Sequence, residues 1–262
     1  MSAKPKPPAS AAKPKASTVQ PFIRAAYLWN TAYDKDLTGS AGAGKGDWKD
    51  YKEWLGVGAL GAEADPGTGN WYDCAQHVSW NAPWGKQQQR YGTQLPVVLL
   101  SIGQMPWDPD QKHSWDEKLA WENATWKAEA ANDPTLMGYF ANYAKEVDDL
   151  GFQNVIIRLG YEFDGGWNSF GNLNAMSDMP GNYIKAWQNI VTAMRKADTK
   201  HVIKGFFWNP TDGNVQIDQL KYYPGDAYTD FIGFDEYDFG YNGEYKVSTE
   251  QPTQAQQDAA WK

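Results

Sequence analysis

NVIIRLGYEFDGGW, residues 154–167, joins two kinds of sequence in one run. Its first half is continuously apolar, which marks a strand covered on both faces, as in a parallel sheet. Its second half sets a carboxylate, Glu162, among aromatic residues, where a charge is costly. Asp164-Gly165-Gly166-Trp167 then reads as an open turn carrying an indole. Strand side chains alternate between faces, so Ile156, Arg158, Gly160 and Glu162 share one side and Val155, Ile157, Leu159 and Tyr161 the other. The second set is uniformly bulky and is expected to face surrounding helices. The first set then points into the interior of a barrel, with Glu162 at its top. Four residues of strand span about 13 Å, so Arg158 is expected to find a carboxylate other than Glu162, with Asp235 the candidate.

The same kind of run recurs along the chain. PFIRAAYLWN (21–30), LPVVLLSIG (95–103), HVIKGFFWNP (201–210) and DFIGFDEYD (230–238) are strand candidates, with LGVGAL (55–60) a weaker one. Between them lie helical patterns. Asp133-Pro134 is an N-cap followed by proline at the first helical position; Leu136, Met137, Phe140, Tyr143, Ala144, Val147 and Leu150 follow at helical spacing, and Gly151 closes the segment. Tyr183, Trp187, Ile190, Val191 and Met194 repeat the pattern. Strand and helix in alternation imply βαβ units and an α/β fold. Long loops are expected after the strand carboxyl ends, at 30–47, 61–94, 104–115, 163–180 and 209–229, which favours a (β/α)8 TIM-type barrel. No G-x-G-x-x-G run follows a strand, so the dinucleotide-binding alternative has no support.

Composition narrows the function. The 262 residues carry a formal charge of −8, a balance that argues against a nucleic-acid partner. No apolar run is long enough for a transmembrane helix, so no membrane partner is expected. Cys74 is the only cysteine and reads as an idle thiol; His77, His113 and His201 lack metal spacing and read as structural or surface residues. No metal or organic cofactor is implied. Residues 1–18, MSAKPKPPASAAKPKAST, form a Lys/Pro/Ala/Ser run expected to be a disordered linker or leader, able to tether another module, ahead of one barrel domain over 19–262. The run has no apolar core of a signal peptide.

With 14 Trp, 15 Tyr and 10 Phe, the chain has more aromatic surface than its periodic segments use, since Trp71, Trp80, Trp84, Trp107 and Trp167 fall in Gly-, Asn- and Pro-rich stretches. Flat apolar plates on loops suit sugar rings. A carboxyl in such a pocket has its ionised form disfavoured, so it stays protonated towards neutral pH and can donate to a leaving oxygen. Glycoside hydrolysis uses such an acid with a second carboxylate.

The sequence resembles glycoside hydrolase family 26, retaining endo-β-glycanases on (β/α)8 barrels. The likeness rests on WKDYKEWLG (48–56), RLGYEFDGGW (158–167), YIKAWQNIVTAMRKADTKHVIKGFFWNP (183–210) and YYPGDAYTDFIGFDEYD (222–238). It implies that Glu162 is the general acid/base and that Trp167 lines the sugar site. It places Trp208 and Asn209 at one strand end and Asp235 and Tyr237 at the next, the tyrosine close to the nucleophile. Trp29 and Trp107 are further candidates for stacking on sugar, with a core role equally open. Asp164 is a candidate for tuning Glu162 or binding a sugar hydroxyl.

Two departures from the family pattern bear on substrate and mechanism. The mannanases usually carry histidine before the acid/base, where this chain has Tyr161, so β-glucan and β-xylan stand beside β-mannan. The family nucleophile, a glutamate closing the seventh strand, has no counterpart before Lys262; Glu236 and Asp238 alternate away from the interior if Asp235 and Tyr237 face it. The chain is therefore expected to be a truncated or divergent form whose covalent partner lies outside it. The expected function is hydrolysis of a β-linked polysaccharide or oligosaccharide with retention, outside the cell where such substrates occur. The alternative is a barrel that binds carbohydrate without cleaving it.

Overall fold

The structure is a computed structural model describing residues 25–27, 48–64, 70–71, 78, 81–106, 114–166, 168, 170–173, 176, 178–211 and 217–233. Its centre is a six-stranded sheet: β1 (Ala25–Tyr27), β2 (Gly61–Ala64), β3 (Val98–Ile102), β4 (Val155–Leu159), β5 (Ile203–Trp208) and β6 (Phe231–Ile232). Each strand pairs with the next in parallel, in the order β1-β2-β3-β4-β5-β6. A doubly wound sheet reverses its strand order part-way. The sequential order here is that of a barrel wall.

Five helices connect the described strands: α1 (Trp48–Trp54), α2 (Ala82–Tyr91), α3 (Trp115–Ala130), α4 (Pro134–Asp149) and α5 (Gly181–Ala197). The expected caps of α4 are in place, with the Asp133 side chain accepting from the Thr135 and Leu136 amides at 2.9 and 3.1 Å. Helix α3 opens on a capping box: the Ser114 hydroxyl accepts from the Glu117 amide, and the Glu117 carboxylate accepts from the Ser114 amide.

Val98, Leu100, Ile102, Val155, Ile157 and Leu159 are wholly buried and form one cluster with Trp126, Phe140, Val147, Trp187, Ile190 and Met194 from the helices. That is the face expected to meet the helices. The register puts Ser101, Arg158 and Phe207 side by side on the opposite face, with Leu99, Ile156 and Gly205 one step down.

Several sequence expectations are corrected here. The segment 55–60 is not a strand; it is the approach to β2, which lies at Gly61–Ala64. The stretches 61–94 and 104–115 are not only loop, since the first holds β2 and all of α2 and the second runs into α3. Strand β4 stops at Leu159, where Gly160 turns the chain with φ 55. The expected linker over 1–18, Cys74, His77 and His113 lie outside the described residues.

Candidate active site

The turn after β4 is set by one glycine. The Gly160 amide donates to the Ile102 carbonyl at 2.7 Å, and a Cβ at Gly160 would collide with the buried Gln104 side chain. Past this point strand alternation no longer holds. Glu162 has a left-handed backbone, φ 48, and is half-buried at the carboxyl end of β4. Its amide donates to Asn209 Oδ1 at 3.2 Å. Its carbonyl accepts from the Gly165 amide at 2.8 Å and from Asn168 Nδ2 at 3.3 Å. Tyr161 does not face the helices: its ring lies 5.4 Å from the Arg158 guanidinium carbon and meets Phe170 edge-on at 5.5 Å.

Beneath Glu162 runs a row of polar groups that crosses the sheet. Arg158 Nη1 donates to Glu63 Oε1 at 2.6 Å and to Ser101 Oγ at 3.3 Å. The Ser101 hydroxyl donates to the same Glu63 oxygen at 2.8 Å. Arg158 Nε donates to Asn209 Oδ1 at 2.8 Å. Glu63 on β2 is therefore a carboxylate partner of Arg158, one that the sequence reading missed by looking only to Asp235. The signal was a lone acid inside GAEA, a strand otherwise made of Gly and Ala, and a lone serine inside the apolar run of β3.

Two expected sugar contacts have other tasks. Asp164 is buried; its carboxylate accepts from the Thr211 amide at 2.7 Å, from the Thr211 hydroxyl at 3.0 Å and from Gln219 Nε2. It fastens the loop after β5 to the loop after β4. Trp208 shares strand parity with Phe206, which pairs with Ile157 on the helix-facing side. It is 2% exposed, stacked on Phe163 at 5.2 Å and edge-on to Tyr223 at 5.4 Å, so it belongs to the core. Trp29, Trp107, Trp167, Asp235 and Tyr237 lie outside the described residues.

A carboxylate at a strand's carboxyl end, over a satisfied polar row and at the rim of a sequential parallel sheet, stands where barrel enzymes carry their chemistry. Comparison with known structures gives the same fold. A modular endo-β-1,4-mannanase from Cellulomonas fimi is 20% identical with a TM-score of 0.51, over 82% of this chain and 48% of that one. A double mutant of the Cellulomonas fimi mannanase gives a TM-score of 0.53 at the same identity and coverage. The YdhT protein from Bacillus subtilis is 14% identical with a TM-score of 0.51, over 92% of this chain and 68% of that one. The chain thus spans about half the length of the Cellulomonas fimi structures. No curated protein sequence matches it. The profile of Glycosyl hydrolase family 26 matches residues 109–251, more than half of the sequence and the part that holds β4, β5, Glu162 and Asn209. The chain belongs to glycosyl hydrolase family 26.

Proposed function

We propose that this chain supplies the acid/base side of a retaining β-glycanase site, with Glu162 as the proton donor. The supporting observation is the position of Glu162: half-buried, at the carboxyl end of β4, with its backbone fixed by Asn209. In the first step a nucleophilic carboxylate bonds to the anomeric carbon, the bond to the leaving oxygen breaks, and the Glu162 proton passes to that oxygen. In the second step Glu162 takes a proton from water, the water oxygen bonds to the anomeric carbon, and the carboxylate leaves. Retention requires a second carboxyl, the nucleophile, at about 5–5.5 Å from that of Glu162. Trp167, Trp29, Trp107 and Tyr237 are proposed as sugar-facing plates and Asp235 as a hydroxyl acceptor. The substrate is a β-linked mannan, glucan or xylan, and the fold likeness to an endo-β-1,4-mannanase puts mannan first to be tried.

Reducing-end release from mannan, lichenan and xylan tests the reading. The chain should release sugar from at least one of them, and Glu162→Gln should lower the rate by about 10²–10⁴-fold, the usual worth of a placed general acid. Equal rates in the two proteins overturn the assignment of Glu162. Binding without turnover in both points instead to a barrel that holds carbohydrate without cleaving it.

A further inference from the structure

We propose that Asn209 and Arg158 are positioning residues for Glu162, and that Ser101 on the neighbouring β3 and Glu63 on β2 anchor them. Asn209 stands just past β5, and its amide divides cleanly. Oδ1 accepts two donors, Arg158 Nε at 2.8 Å and the Glu162 amide at 3.2 Å, which uses both of its lone pairs. Nδ2 donates to the Pro210 and Gly233 carbonyls, each at 3.3 Å. The orientation of this amide is thereby determined by its surroundings, since reversing it would set donor against donor and acceptor against acceptor. One side chain ties the end of β6 to the turn that carries the acid.

Arg158 holds Asn209 in turn. Its guanidinium is buried, 8% exposed, and a buried cation needs both counter-charge and hydrogen-bond partners. Glu63 supplies the charge, Ser101 bridges, and the planar fork leaves Nε aimed at Asn209. The same guanidinium lies under the Tyr161 ring at 5.4 Å, so the residue before Glu162 is fixed from below as well. Left-handed backbone at a glutamate is unfavourable and persists only where neighbours over-determine it. Here the Asn209 acceptor on the amide, and the Asn168 and Gly165 donors on the carbonyl, do so. Without them the turn relaxes and the Glu162 carboxyl swings off the line to a leaving oxygen.

The catalytic consequence rests on the reading of Glu162 as the acid/base; the positioning itself does not. Two measurements on the whole chain separate them. The first is amide hydrogen exchange by NMR in Asn209→Ala. Exchange at Glu162 should rise by about tenfold while the amides of Val155–Leu159 keep their rates, as expected for local opening. Glu63→Gln should shift Glu162 in the same direction by less. An unchanged Glu162 amide in folded protein, or an equal rise across β4, overturns the proposal. Should Asn209→Ala fail to fold, Arg158→Lys keeps a cation for Glu63 but loses the Nε donor to Asn209, and the same comparison decides. The second is turnover. Asn209→Ala should lower kcat and kcat/KM on polysaccharide by about tenfold with KM held. It should spare kcat/KM on aryl glycosides whose leaving group needs no proton, a parameter that ends at the first step and leaves out the base-assisted second. Equal losses on both substrates overturn the catalytic consequence. A wild-type chain without turnover counts against the proposed function, and the exchange result still decides the positioning.

Discussion

Glu129 sits on the inner face of α3 with no exposure, and neither carboxylate oxygen has a hydrogen-bond partner among the described residues. Burial alone pushes its pKa well above the ordinary glutamate value of 4.5. The folded chain therefore keeps this carboxyl neutral at pH values where the unfolded chain ionises it. Below the ordinary value both states are protonated and the group costs nothing extra. As pH rises from there towards the raised folded pKa, the unfolded state is favoured and stability drains away. Glu129→Met removes a buried polar group at similar volume. It should stabilise the protein at pH 7 by about 2 kcal/mol and do less at pH 4. Thermal unfolding at the two pH values checks it; a gain that does not shrink in acid would show that ionisation is not the cause. The same scale explains why the site was only partly legible. Glu162 stood out as an acid after a buried strand, but the pairing of Arg158 with Glu63 joins residues 95 apart in sequence, and the lone acid in GAEA does not name its partner. Asp164 and Trp208 look like sugar contacts in one dimension because acids and indoles serve both cores and clefts. Only the amide and hydroxyl of Thr211, and the parity of β5, assign them to the interior.

Helix α2 shows how packing between elements overrides local preference. Gly85 lies mid-helix, where alanine is ordinarily worth about 0.5–1 kcal/mol over glycine. Its Cα faces the loop between α4 and β4 so closely that a Cβ would stand 2.6 Å from the Leu150 carbonyl oxygen and 3.1 Å from the Phe152 nitrogen. Backbone cannot step aside as a side chain can, so Gly85→Ala should destabilise by about 1–3 kcal/mol. Gly138 in α4 is the control: a Cβ there meets nothing within 4 Å, and Gly138→Ala should gain about 0.5–1 kcal/mol. Chemical denaturation of the two variants tests the pair, and a gain at both sites would deny the close approach. Helix α2 is further stitched to the start of β4 by Gln88, whose Oε1 accepts from the Gln153 amide and whose Nε2 donates to the Asn154 carbonyl. These contacts explain why some elements were readable and others were not. Strands β3, β4 and β5 and helices α4 and α5 bury apolar faces, so their periodicity is plain. Helices α2 and α3 turn Gln87, Gln88, Glu122, Thr125 and Glu129 inward, which hides the apolar stripe. The capping-box spacing of Ser114 and Glu117 was the remaining local mark of α3. Strand β2, Gly-Ala-Glu-Ala, has no large apolar side chain to signal a strand.

Across the whole molecule, stability should be unevenly spread because burial is. The middle of the sheet is enclosed: Val98, Leu100, Val155 and Ile157 are wholly buried beneath α4 and α5. At β6 the enclosure ends, with Phe231 42% and Ile232 59% exposed. Elsewhere the polar row from Glu63 through Ser101 and Arg158 to Asn209 links β2, β3, β4 and the end of β5, so the sheet's centre is held on both faces, by apolar packing outside and by hydrogen bonds inside. Opening such a centre exposes a buried cation together with its core, whereas opening β6 exposes little that is not already wet. Backbone amides should therefore exchange in a graded order, slowest in 98–102 and 155–159 and fastest in 231–233 among the described strands β2 to β6. Native-state hydrogen exchange read by mass spectrometry gives that order directly. Peptides over 231–233 as protected as those over 155–159 would mean that β6 opens only with the whole sheet, and would contradict a stability gradient set by burial.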